Sequence, residues 1–204
     1  MTIEKSYYIT GVIFIILGLL MPLSAPTARE KIHTRNIELN GYEREDGLWD
    51  IEAHMTDVKT YGFDNKFRGR IEPGDHIHEM WVRLTIDQTF MVVDAEAVTE
   101  NHPLEGCPSI TGVYKELIGI RIGRGWRRAI NEKVRGRLGC THITELLQQL
   151  ATVSFQSMIG RLKKKEGHAD PAAHFKPLII NTCHAWADDG DAVKDHFPDQ
   201  YKGD

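Results

Sequence analysis

The sequence has only three cysteines in 204 residues, Cys107, Cys140 and Cys183, and they lie far apart. An odd number at wide spacing does not fit a small secreted domain held by disulfides, and no CxxC pair marks a zinc finger. The chain also lacks an HExxH motif, a GxSxG elbow and a P-loop. Any metal or catalytic site must therefore be assembled from segments that are distant in sequence.

The chain has little excess charge of either sign. It carries 25 basic and 29 acidic residues, for a net charge of −4, and 41% of its residues are hydrophobic. General nucleic-acid binding needs a basic surface that displaces counterions from phosphates, so this composition argues against it. A local exception is the stretch from Arg121 to Arg137, with seven basic residues against one acidic residue. We interpret it as a solvated helix face, with phosphate or nucleic-acid binding as the alternative.

One long apolar run is present, at residues 7–23 (YYITGVIFIILGLLMPL). It could be a signal peptide or a membrane anchor of marginal length. Only Lys5 precedes it as a positive residue, against Glu4, whereas a signal normally carries net positive charge. Translation from Met21 would leave out all of this run except its last three residues. We therefore expect a cytoplasmic protein, secreted or membrane-attached only if residues 7–23 are retained.

Alternation of polar and apolar residues predicts strands in the first half of the chain. In GLWDIEAHMTDVKTY one face carries Trp49, Ile51, Ala53 and Met55. The preceding RNIELNGYERED is expected to pair with it through a turn at Asp46-Gly47. In HEMWVRLTID, His78 falls on the apolar face, and a third strand is expected from about Phe90 to Val98. Short connections between neighbouring strands predict an antiparallel sheet of three to five strands with one covered face.

In the second half the period of the pattern becomes helical. CPSITGVYKELIG, the basic segment ending near Gly136 and a long segment after Cys140 each predict a helix. Strands followed by helices indicate an α+β fold with about three helices on one face of the sheet. We expect one domain over residues 21–162 after an apolar segment 1–20. An exposed linker, 163–177, and a tail, 178–204, that packs on the domain are expected to follow.

Cys140 lies where the long predicted helix begins, and free amide groups and the helix dipole there favour a thiolate. His142 and Glu145 fall in the first turn, and Cys107 also precedes a predicted helix. Thiolate and imidazole ligands suit zinc or iron. The alternative for each cysteine is an inert thiol in the core, which is common for this residue type.

Several motifs resemble a bacterial family catalogued as domain of unknown function 2889. They include the stretch from MPLSAPTAREKIHTRNIELNGYEREDG to HMTDVKTYGF, and IHEMWVRLTID, DAEAV, GCTHITELL and CHAWADDGDAVKDHFP. The resemblance runs from Met21 almost to the end of the chain and supports Met21 as the natural start. It implies a domain boundary and no particular activity.

The order of elements is also similar to iron–sulfur cluster assembly scaffolds of the NifU/IscU type, over about Gly47 to Leu162. In those proteins three cysteines and one acidic residue converge at one end of a sheet-and-helix domain. EGCPSI and LGCTHITEL match two of the cysteines, and HIHEM stands in the place of the first. The resemblance implies Cys107 and Cys140 as metal ligands, with His78 and Glu79 available in place of the third cysteine. We expect Cys107, Cys140 and His78 to bind the metal, with His142 or Glu79 as a fourth ligand or as a residue that supports the ligands.

The leading hypothesis is a zinc- or iron-binding accessory or scaffold-like protein, with a metalloenzyme or a small molecule as its partner. A second is a cysteine-dependent small-molecule enzyme with Cys140 as nucleophile, His142 as base and Glu145 as the residue that orients the base. A third is a non-catalytic partner-binding domain. The pattern assigns no role to Cys183 or His184.

Overall fold

A computed structural model describes residues 23–165 and 179–204. The chain divides into two units between Ile32 and His33, and the second unit is His33–Asp204. Almost all of the apolar run predicted as a signal or anchor, residues 7–22, lies outside the described residues. So does most of the predicted linker, residues 166–177. Within the described ranges, every helix is too short or too polar to cross a bilayer.

Strands occupy the first half of the second unit, as predicted. They are β1 His33–Glu43, β2 Trp49–Lys59, β3 Phe63–Asn65, β4 Gly69–Ile71, β5 His76–Ile86 and β6 Val92–Asn101. The main sheet has the order β1-β2-β5-β6 and every pairing in it is antiparallel. β3 and β4 form a separate hairpin in the segment between β2 and β5. Strands of three residues are too short to leave an alternating pattern in the sequence.

Helices occupy the second half, which confirms the α+β fold class. The α-helices of the described residues are α1 Trp126–Lys133, α2 Thr141–Lys165 and α3 Asp191–His196. Turns of 3₁₀ helix lie at Cys107–Leu117, Gly136–Leu138, His184–Trp186 and Pro198–Gln200. The first predicted helix is therefore 3₁₀, in keeping with the weak helix formers Thr111 and Gly112 at its centre. The long helix α2 continues to Lys165, into the predicted linker.

The core lies between one face of the main sheet, which we call the inner face, and the helices. Inner-face residues of β2 and β5 are almost fully buried: Ile51, Ala53, Met55, Met80, Val82, Leu84 and Ile86. They share the core with four buried residues of α2: Ile143, Leu146, Leu147 and Leu150. Phe90, predicted to open the last strand, instead has a φ of 65° and precedes β6. The alternation in the sequence thus gives the correct buried face of both central strands.

Gly41 of β1 lets α2 approach the sheet closely. A Cβ atom there would overlap the Ser157 hydroxyl and lie 2.7 Å from Ser157 Cβ. Gly41→Ala is therefore expected to lower the free energy of unfolding by about 1–3 kcal/mol, measured by urea denaturation. The penalty should shrink when Ser157→Gly is present, because the colliding side chain is gone. Gly160→Ala is the control, since a Cβ atom there meets nothing within 4 Å; a loss as large as that of Gly41→Ala would contradict the steric explanation.

Candidate metal centre

The inner face of the sheet ends in a row of polar side chains. On this face, Asp57 is the next residue after Met55 in β2, and His78 is the one before Met80 in β5. Asp57 and His78 are direct cross-strand neighbours. On the other side of Asp57, β1 supplies Arg35 as its cross-strand neighbour. Three adjacent strands therefore bring a carboxylate, an imidazole and a guanidinium together under the first turn of α2.

Asp57 is the centre of this row and is only 2% exposed. Arg35 donates two hydrogen bonds to it, from Nε to Oδ1 at 2.8 Å and from Nη2 to Oδ2 at 2.7 Å. His33 Nε2 lies 3.0 Å from Oδ1 and His78 Nδ1 lies 3.1 Å from Oδ2. Burial alone would raise the pKa of Asp57, but the hydrogen bond and positive charge of Arg35 lower it to about 2. The carboxylate is therefore ionised at neutral pH.

His142, in the first turn of α2, completes the group. Its Nε2 atom lies 3.9 Å from Asp57 Oδ2, and its ring centroid lies 4.0 Å from that of His78. Burial, followed by the proximity of His142, lowers the pKa of His78 to about 4. Burial and then the charge of Arg35 lower the pKa of His142 as well. Both imidazoles are therefore neutral at pH 7, and each has a lone pair that could bind a metal ion.

Cys140 lies beside the group and is the residue immediately before α2. Its Sγ atom is 3.8 Å from His142 Nδ1, the ring nitrogen that faces away from Asp57. A buried hydroxyl fixes the backbone of Cys140: Tyr114 Oη accepts a hydrogen bond from its N–H at 2.9 Å and lies 3.0 Å from its carbonyl oxygen. A Cβ atom on the preceding Gly139 would overlap the carbonyl oxygen of Val134, so only glycine fits this turn without rearrangement.

Tyr114→Phe removes a hydroxyl that also lies 3.1 Å from Thr144 Oγ1. The change leaves the partly buried N–H of Cys140 without its partner, so we expect a loss of about 1–3 kcal/mol in the free energy of unfolding, measured by urea denaturation. Tyr42→Phe, at an exposed position, serves as the control and should change stability by less than about 0.5 kcal/mol. Equal losses in the two variants would show that the hydroxyl of Tyr114 does not hold the start of α2.

The structure brings together some of the residues predicted from the sequence and separates others. His78 and His142 meet, and Cys140 contacts His142. Glu145 is exposed, with Oε2 3.7 Å from Arg35 Nη1. Glu79 lies on the opposite, outer face of the sheet, where it bonds His54, His76 and Asn101. Cys107 begins the first 3₁₀ segment and is not a member of the group that could hold a metal.

Sequence reasoning missed Asp57, which is the centre of the site. The signal was present, because Asp57 falls on the same alternating face as the buried residues of β2, where an unpaired carboxylate would be costly. A charged residue in phase with an apolar face indicates a buried partner. Identifying Arg35 as that partner requires the register of β1 on β2, which the alternation alone does not give.

The fold and the site together define an α+β domain with a candidate Asp/His/His metal group at one end of an antiparallel sheet. One ligand atom from each of Asp57, His78 and His142 lies within 4.8 Å of the other two. The chain belongs to the family described as "Protein of unknown function (DUF2889)", whose model matches residues 33–156. No curated protein and no solved structure matches the chain. The likeness to iron–sulfur scaffolds therefore has no support beyond the order of elements.

Proposed function

We propose that this protein binds one divalent transition-metal ion, zinc or iron(II), between Asp57, His78 and His142, as an accessory protein in metal handling. The observation that carries the proposal is the convergence of one carboxylate oxygen and two imidazole nitrogens within 4.8 Å. Two imidazoles and a carboxylate form a donor set that suits both zinc and non-haem iron(II).

The distances between the donor atoms fit a small coordination sphere. At metal–ligand distances near 2.0–2.1 Å, neighbouring ligands of a tetrahedral ion lie about 3.3 Å apart. Asp57 Oδ2 is 3.1 Å from His78 Nδ1 and 3.9 Å from His142 Nε2. A shift of about half an ångström by the His142 ring would bring its Nε2 atom to this separation from Asp57 Oδ2, a movement within the reach of a half-buried side chain.

Arg35 and metal binding are compatible, because a carboxylate offers about four acceptor positions. Arg35 uses one position on each oxygen of Asp57, and His33 uses a second position on Oδ1. The remaining position on Oδ2 faces His78. Arg35 would thus keep the carboxylate oriented while the metal replaces the hydrogen bond from His78. Residues around a metal ligand commonly orient it in this way.

Three protein ligands leave at least one coordination position for water or another molecule, in contrast to the four protein ligands of a structural zinc site. Cys140 would then contact a metal ligand and not the metal itself. When Nε2 of His142 binds the metal, Nδ1 of the same ring faces the sulfur. An exchangeable position and partly exposed histidines are consistent with a metal that is delivered or used.

The test is metal binding by untagged full-length protein after treatment with a chelator. We expect one zinc or ferrous ion per chain, and His142→Gln should weaken binding by at least about tenfold. His102→Gln, at a loop histidine bonded to the carbonyl oxygen of Leu104, is the matched control. Cobalt(II) spectra of the wild type, Cys107→Ser and Cys140→Ser test thiolate ligation directly. Absence of stoichiometric metal, or equal affinity in the two histidine variants, would rule the proposal out.

A second candidate function, nucleophilic catalysis by Cys140, is favoured by the 3.8 Å contact between its sulfur and His142 Nδ1. In this alternative His142 is the base, and Asp57, 3.9 Å from its other nitrogen, is better placed than Glu145 to orient the ring. Faster alkylation of Cys140 than of Cys107, abolished by His142→Gln, would support it. Equal alkylation rates would reject it.

A further inference from the structure

Basic residues are concentrated in one segment of an acidic protein. Between positions 115 and 137 the chain has eight basic and two acidic side chains, net +6, whereas the other residues carry 17 basic and 27 acidic, net −10. All eight basic residues are exposed: Lys115, Arg121, Arg124, Arg127, Arg128, Lys133, Arg135 and Arg137. We call this the basic surface. It also exposes two large apolar side chains, Ile118 at 43% and Leu138 at 44%.

The outer face of the main sheet has the opposite character. Its strand positions carry seven carboxylates: Glu38, Asp50, Glu52, Glu79, Asp94, Glu96 and Glu100. Arg83 is the one Lys or Arg on this face of the described strands, and it pairs with Glu52 and Glu96. Trp81 is 40% exposed among them, and its ring is held in place by stacking on His54 and by donating a hydrogen bond to Glu100. We call this the acidic face.

The acidic face has hollows in its surface as well as negative charge. Two hollows of about 140 and 200 Å³ lie beside Trp81, and both include Glu52. Tyr42 lines the larger one, and Val98 lines the smaller one. Exposed aromatic rings next to carboxylates are suited to guanidinium groups, which stack on the rings and bond the carboxylates in two-pronged fashion.

We propose that the basic surface of one copy of this chain binds the acidic face of a second copy. Six of the eight basic residues are arginine, and arginine is enriched and lysine depleted at protein–protein interfaces. The net charge of −10 on the rest of the chain opposes the approach of a long polyanion such as nucleic acid. Complementary charge on a neighbouring copy does not meet this objection.

The positions of the two surfaces determine the kind of assembly. The helices pack on the inner face of the sheet, so α1 and its arginines belong to the layer opposite the acidic face. Contact between two different surfaces is head-to-tail, and such contacts form open chains unless the rotation between copies closes a ring. The mean mass in solution should therefore rise beyond a dimer with concentration, continuously for an open chain or to a plateau for a closed ring.

Sedimentation of the metal-free full-length protein at about 50 mM and 500 mM salt tests this assembly. We expect association at low salt and at least about tenfold weaker association at high salt. Arg124→Glu with Arg127→Glu should yield monomers, as should Glu38→Lys with Glu52→Lys. Lys66→Glu with Arg70→Glu lies outside both surfaces, lowers the net charge as much as Arg124→Glu with Arg127→Glu does, and should leave association intact. Circular dichroism of each variant checks folding.

Mixing the two monomeric variants gives the sharpest result. The arginine variant keeps its acidic face and the glutamate variant keeps its basic surface, so the mixture should associate although each variant alone is monomeric. A wild type that stays monomeric at low salt, association that ignores salt, or a mixture that remains monomeric would each overturn the proposal. Duplex DNA binding to the basic surface of a monomeric wild type would do the same. The metal ligands lie in neither surface, so this outcome is independent of the proposed metal site.

Discussion

Acidifying the metal-free protein from pH 7 to about pH 4 is expected to lower its free energy of unfolding by about 3 kcal/mol, mainly through His78. The pKa of His78 falls from 6.5 to about 4 in the folded protein, chiefly because the ring is buried. In the unfolded chain the ring takes up a proton near pH 6.5, whereas the folded protein resists protonation until about pH 4. The stabilisation is therefore complete above pH 6.5 and is lost between pH 6.5 and pH 4.

Urea denaturation at half-unit pH steps in the presence of a chelator measures this slope. His78→Gln should remove most of it, while His102→Gln should retain it. Asp57 contributes in a separate window: its pKa is lowered from 3.8 to about 2, so its stabilisation of about 2 kcal/mol persists above pH 4 and is lost as the pH falls towards 2. An unchanged slope between pH 6.5 and 4 in His78→Gln would show that this ring is not the group responsible.

Asp57→Asn is expected to weaken zinc binding by at least about 100-fold, because it removes the anionic ligand and leaves the positive charge of Arg35 beside the metal. The same change should lower the stability of the metal-free protein by about 2 kcal/mol, since a buried carboxylate that accepts two hydrogen bonds from arginine is lost. Calorimetric titration with zinc and urea denaturation measure the two effects separately.

Glu79→Gln is the matched control for Asp57→Asn. Glu79 also makes several hydrogen bonds to histidine, but it lies on the outer face of the sheet. Its replacement should leave zinc affinity unchanged within a factor of about two, because the metal group lies on the other side of the sheet. A large loss in Glu79→Gln would place the metal on the outer face and would restore Glu79 as a ligand.

The sequence was sufficient to predict the hairpin of β1 and β2, the apolar face of β5 and the start of α2. These features depend on local patterns: a turn at Asp46-Gly47, a period of two in strands and a period of 3.6 in helices. The period of two in strands also argues against one predicted pair of ligands. His78 and Glu79 are consecutive residues of one strand, so their side chains point to opposite faces and cannot easily bind one metal.

The rest of the site depends on contacts between distant segments. Asp57 meets His142 across 85 residues because α2 begins above the last inner-face row of the sheet. The position of that start follows from a buried hydroxyl, Tyr114, and a glycine that fits against a carbonyl oxygen, and neither has a periodic signature. Cys140 indicated the correct end of α2, but the candidate metal ligands there are a carboxylate and two imidazoles.

The hydrogen bond between His78 Nδ1 and Asp57 Oδ2 has a consequence for metal uptake. Because His78 is already neutral at pH 7, the proton on Nδ1 need only move to the far side of the same ring when a metal arrives. No proton then has to leave for bulk water. The heat of zinc binding, once corrected for zinc–buffer complexes, should be the same in buffers of low and high ionisation enthalpy, and affinity should stay nearly constant from pH 7 to pH 8.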